Sequence, residues 1–227
     1  LPGLLLVMGG VVIGFPLLTA LAVQKISSAH ALVYMGMLPL LTALFSVLRT
    51  EERPPARFWF FSLTGSLVIA GYAIRQSGTA VNGGDLMMLA AITVCGLGYA
   101  EGARLARALG SWQVTCWALV LSLPISLPSA LYWHPDTLDQ IGLPAWLGLG
   151  YVTLFSMLIG FFFWYAGLAR GGIAAVGQLQ LLQPFLGFLL AFALLDETVT
   201  PAMLLVAGAV LVCVAGARSA TARPQPK

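Results

Sequence analysis

Six residues of this chain stand out as polar or helix-breaking groups set in apolar surroundings. Gln178, Gln180 and Gln183 fall on one segment that runs into Pro184. Gln180 and Gln183 are three apart and share a helix face. Proline has no N–H and blocks the carbonyl four residues back, here that of Gln180, so the same face carries a helix break. Uncharged amides in an apolar helix turn inward, toward a neighbouring helix or a cavity. Two readings follow: a hydrogen bond between helices, or contact with a polar solute. Pro39 does to Met35 what Pro184 does to Gln180, and its break is likewise either a packing kink or a hinge where backbone groups meet a solute. Glu101 is the one carboxylate well inside an apolar segment. Such an acid is a candidate for proton coupling, and Arg104, three residues on, is a candidate to neutralise it. Tyr99, two residues earlier, faces another way. Trp164 and Tyr165 close the aromatic run Phe161-Phe162-Phe163, which either lines a cavity or packs against neighbours and lipid.

Other chemistries find little support. His30 and His134 are about a hundred residues apart, and neither has a partner at metal-ligand spacing, so no metal site is expected. Cys95, Cys116 and Cys213 all sit in apolar stretches and read as small packing residues. No G-x-S-x-G motif occurs. Asp136 and Asp139 form a lone acidic pair, where binding a metal diphosphate takes two clusters. The chain is not expected to be an enzyme or to hold a cofactor.

The elements that must position these residues are membrane spans. Of the 227 residues 59% are hydrophobic and 8% charged, with a mean hydropathy of +0.94. A soluble domain carries about 25% charged residues. The net charge of +3 is spread over loops and gives no reason to expect nucleic acid. A helix crosses the hydrocarbon core with about 20 apolar residues. Eight segments qualify: roughly 4–23, 31–48, 58–74, 86–103, 112–133, 145–169, 173–195 and 201–217. The fourth is the weakest, because Glu101 interrupts it. Alternating the spans puts Arg49, Arg53, Arg57, Arg104, Arg107, Arg170, Arg218, Arg223 and Lys227 on one side and only Lys25 and Arg75 on the other. By the positive-inside rule the first side, with the C-terminal tail, is cytoplasmic. Trp112, Tyr132, Trp133 and Trp146 lie near span ends as interfacial anchors. Gly98 and Gly102 are spaced for close helix contact.

Pro39, Glu52 and Gly71 recur 145 residues later as Pro184, Glu197 and Gly216. The Pro39 segment runs inward and the Pro184 segment outward, so the two copies are inverted, a pattern of secondary transporters. The order of elements resembles the EamA-type domain of the drug/metabolite transporter superfamily. The elements are Leu38-Pro39-Leu40, Glu52-Arg53 and Ala70-Gly71, then Gly84-Asp85, Gln183-Pro184-Phe185, Asp196-Glu197 and Ala215-Gly216. Ala20-Leu21 before Ser27-Ser28-Ala29, and Ala166-Gly167-Leu168 before Gly171-Gly172, complete it. Glu52 and Glu197 read as structural corner residues that cap helices or pair with arginines.

The resemblance implies an all-α polytopic membrane protein of two inverted five-helix repeats, with eight of the ten transmembrane helices in this sequence. Residues 1–78 would be the last three helices of the first repeat, 84–218 the whole second repeat, and 219–227 a cytoplasmic tail. The expectation is therefore a chain that begins partway through its first repeat. The implied function is export of a small metabolite such as an amino acid by alternating access, with proton coupling through Glu101 as one form of it. Gln178, Gln180, Gln183, Tyr99, Trp164 and Tyr165 would bind substrate, and Pro39 and Pro184 would be the hinges. The implied setting is a bacterial inner membrane, with the lipid bilayer and a small-molecule substrate as partners and a homodimer as one assembly. The competing readings are a non-transporting scaffold or receptor and an intramembrane enzyme.

Overall fold

The computed structural model describes residues 1–26, 31, 34–77, 83–133, 141–183, 186 and 201–221. Among them are eight helical elements and no strand: α1 Pro2–Ala22, α2 Leu38–Arg49, α3 Ala56–Ser77, α4 Gly83–Leu109, α5 Ser111–Tyr132, α6 Leu143–Gly171, α7 Ile173–Leu182 and α8 Pro201–Thr221. Each falls on an expected span. Helices α1, α4, α5 and α6 are long and apolar enough to cross a membrane. Pro184, Asp136, Asp139, Asp196, Glu197, both histidines and residues 222–227 lie outside the described residues.

Helix α4 is the axis of the bundle, packed against α1, α2, α5 and α6. Glycines make the close approach possible. A Cβ at Gly96 would meet Leu41 and Thr42 of α2 at 3.2 Å, and one at Gly98 would meet Val11 of α1 at 2.5 Å. A Cβ at Gly102 would run into the Tyr165 ring of α6. The contact expected of Gly98 and Gly102 is thus made, to two different neighbours. Helix α1 answers in kind: its wide π-type turn, Met8–Gly14, lays Gly10 directly against the Val94 carbonyl. Helix α8 packs along α3, and α7 joins this pair to α2 through Phe58, Ala43, Ala174 and Ala217. The outward faces carry large apolar side chains, Leu67, Trp117, Leu147 and Phe163 among them, as lipid contact requires.

Two local features differ from the expected spans. Pro39 does not kink a continuous helix. The chain turns at Gly36 and Met37, and Pro39 lies in the first turn of α2, where its missing N–H breaks no ladder. Helix α4 passes through Glu101 without interruption and ends eight residues later, because the acid is paired. Helix α5 keeps Pro124 and Pro128 inside it.

Replacing Gly10 with Val should cost about 1–3 kcal/mol, because a backbone carbonyl cannot step aside. Gly9→Ala next to it should be close to neutral, since a Cβ there meets nothing within 4 Å. Thermal unfolding of the purified protein checks both. Equal losses from the two would remove the close-approach argument.

Candidate functional site

The aromatic run at the end of α6 sorts itself by face. Phe163 points out, 75% exposed, whereas Tyr165 is buried and Phe161 and Trp164 are half-buried toward α4. The Tyr99 ring of α4 lies 5.7 Å from that of Trp164, edge-on, and 6.0 Å from that of Phe161. Phe161 in turn is 5.5 Å from Tyr165. The Tyr99 side chain also neighbours the Gln180 amide of α7 and the Cys95 thiol. Three helices therefore bring Tyr99, Phe161, Trp164, Tyr165 and Gln180 together.

What distinguishes the cluster is unused polarity. Trp164 Nε1, the Tyr165 hydroxyl and Gln180 Oε1 have no hydrogen-bond partner among the described residues. Leaving a buried polar group unpaired costs about 1–3 kcal/mol, so such groups either mark a ligand or are met by water. Together they offer a donor, a hydroxyl and an acceptor beside apolar rings, a combination that suits a small solute with both polar and apolar parts.

Gln178 and Gln183 do not join this cluster. Gln178 is fully buried, and its Nε2 donates to Ser62 Oγ of α3 at 2.9 Å, so one amide end ties α7 to α3. Gln183 is exposed. The segment Gln178–Leu182 is wound as a 3-10 turn, the tightening that marks a weak point in a helix, next to the proline that suggested a break.

Glu101 stands apart, at the arginine-rich end of α4. Its carboxylate is fully buried and accepts from Arg104 Nη2 at 2.5 Å, Arg104 Nε at 3.1 Å and Arg49 Nε at 3.0 Å. Arg104 was legible as a partner from spacing. Arg49, 52 residues away in sequence, was not.

The corner residue Glu52 has a larger role than its sequence position suggests. Its two oxygens accept the backbone N–H groups of Ile173 at 2.8 Å and Ala174 at 3.0 Å, capping α7, and Oε1 also accepts from Arg107 Nη2 at 2.7 Å. Gly172, at φ +88°, turns the chain from α6 into α7 so that these amides face the acid. The arginines of the α2–α3 corner and of the ends of α4 and α6 thus gather at one end of the bundle, around a cavity of about 930 Å³.

The model of the EamA-like transporter family matches residues 82–218. The chain is 63% identical over 215 residues to "Uncharacterized transporter YdeK" of Bacillus subtilis (strain 168), covering 95% of this chain and 75% of that protein. It is 24% identical over 188 residues to "Uncharacterized transporter YyaM" of the same organism, covering 80% and 62%. A solved crystal structure superposes with a TM-score of 0.81 at 21% identity, covering 95% of this chain and 77% of that one, which shows a shared fold.

Because two arginines share one buried acid, their losses should not add. Arg49→Ala or Arg104→Ala alone leaves Glu101 with a cation. The double variant strands a buried carboxylate and should cost about 3–5 kcal/mol, more than the two single costs together. A double-mutant cycle on thermal stability measures this, and strict additivity would count against a shared pair.

Proposed function

The chain belongs to the EamA-like transporter family, and we propose that it exports a small metabolite such as an amino acid across the membrane by alternating access. The observation that carries this reading is the trio of unpartnered polar atoms on Trp164, Tyr165 and Gln180, set against the rings of Tyr99 and Phe161 between three helices. In this proposal the rings hold the apolar part of the solute. Trp164 Nε1 donates to it, and Gln180 Oε1 accepts from it. The α7 break at Gln178–Leu182 and the turn before Pro39 are the places where the two halves of the bundle flex.

The arginine-rich end is placed at the cytoplasm, by the charge bias of the loops. Glu101 enters as an ion pair rather than a free acid. For export coupled to protons, its carboxylate would have to part from Arg49 by a movement of α2 against α4, and from Arg104, on α4 itself, by a change of that side chain's rotamer. Gln178 serves the contact with α3, and Gln183 stands outside the cluster.

The test is solute uptake into inside-out vesicles over a panel of amino acids and amphipathic drugs, with and without a proton gradient. The chain is run beside a version with two further N-terminal helices. Trp164→Ala and Gln180→Ala should each raise KM by about tenfold, the equivalent of roughly 1.4 kcal/mol of lost contact, with folding intact. Flux indifferent to both variants would move the site elsewhere. No flux from any folded form would sink the carrier reading for that panel in favour of a non-transporting scaffold.

A further inference from the structure

Between the aromatic cluster and the arginine-rich end lies a closely packed layer that acts as a plug. Ala100 and Ala103 of α4, Tyr165 and Leu168 of α6, and Ile173 of α7 pack together, none more than 1% exposed. Arg107 lies eight residues beyond Tyr99 on α4, about 12 Å along the axis, and Ile173 lies about 11 Å before Gln180 on α7. The Glu52 carboxylate therefore sits just past the plug, on the side away from the cluster.

The contacts of Glu52 join parts of the chain that are far apart in sequence. The acid comes from the corner between α2 and α3, the two amides from the start of α7, and the guanidinium from the end of α4. Arg107 Nε also donates to the Ala169 carbonyl at 3.3 Å, so the end of α6 is held as well. Glu52 is itself only partly shielded, with 19% of its side chain exposed to the 930 Å³ cavity outside. It is the outermost tie on a sealed end. Opening a path from that cavity to the cluster requires α7 or the corner to move, and either movement strips the carboxylate from the α7 amides.

We propose that this structure is the state closed at the arginine-rich end, and that Glu52 is the latch that keeps it closed. The latch works by N-capping α7 from the α2–α3 corner while holding Arg107. This inference rests on the alternating-access reading, but its test does not require a substrate. The three native cysteines are replaced by alanine, spin labels are placed at Glu51→Cys of the α2–α3 corner and Ala175→Cys of α7, both lining the cavity, and their separation is measured by pulsed electron resonance in lipid nanodiscs. With Glu52 present, one short distance should dominate. Glu52→Ala should raise the population of a longer distance several-fold. Arg107→Ala should raise it less, because both amide bonds to Glu52 remain, and Glu52→Gln should fall between, since its oxygen still accepts but carries no charge. An unchanged distribution in Glu52→Ala overturns the latch. Should that variant not fold, unchanged distributions in both Arg107→Ala and Glu52→Gln overturn it equally. A distance shift without flux of any panel solute leaves the latch standing and sinks the carrier. Flux without a shift does the reverse.

Discussion

In lipid, apolar surface gives two helices no reason to meet, so this bundle depends on how closely its neighbours approach α4. Lipid tails are as apolar as leucine, and what remains is dispersion at short range and hydrogen bonding. Gly96, Gly98 and Gly102 remove the side chains that would keep α2, α1 and α6 away, and Gly10 lets α1 lie against the α4 backbone itself. Tyr165 and Glu101 are placed by that approach. Tyr165 reaches the bundle centre because Gly102 leaves room for its ring. The carboxylate of Glu101, on the same turn of α4, sits against Gly3 at the start of α1 and within reach of Arg49 from α2.

The interior then divides its polar groups into two kinds. Toward the arginine-rich end the acids are matched: Glu101 with Arg49 and Arg104, and Glu52 with Arg107 and two amides. Around Tyr99 neutral groups are left over, on Trp164, Tyr165 and Gln180. A membrane interior has no bulk water to satisfy such atoms. Other unpartnered atoms are scattered, Gln113 Oε1 at the arginine-rich end and Gln178 Oε1 on α7 among them, and it is the gathering of three around one set of rings that points to a binding site better than any single residue.

Much of this was legible in the sequence. Hydropathy located all eight elements, and the recurrence of proline, corner acid and glycine singled out Glu52 before its partners were known. Aromatic density and the glutamines marked Trp164, Tyr165, Tyr99 and Gln180. What escaped was anything that depends on partners distant in sequence. Arg49 lies 52 residues from Glu101, Ser62 lies 116 from Gln178, and the Ile173 amide lies 121 from Glu52. Periodicity orders residues around one helix axis, and it says nothing about which helix stands opposite. It also could not tell that Pro39 begins a helix rather than bending one, because a proline at either place interrupts the same apolar run. Nor could it sort Phe163 from Trp164, since a dense aromatic run has no polar face from which to take a phase.

The positions of the site and the tie are linked by helix geometry. Helix α6 carries Trp164 and Tyr165 and, one turn on, Leu168 and Ala169, the last held by Arg107. Helix α7 presents Ile173 and Ala174 to Glu52 at one end and Gln180 to Tyr99 at the other. Each has a weak point at the cluster, the 3-10 turn in α7 that holds Gln180 itself and the wide turn Val152–Ile159 in α6 just before Phe161. A solute that engages Trp164 and Gln180 therefore acts on the same rigid segments whose far ends are clamped by Glu52 and Arg107. A small tilt of either segment at the cluster becomes a displacement at the clamp, and hydrogen bonds of 2.7 to 3.0 Å do not survive a displacement of even one ångström. On the proposed site, occupancy of the middle and closure of the end would be coupled by lever arms of about 7 Å in α6 and about 11 Å in α7, with no need for a chain of side-chain rearrangements between them.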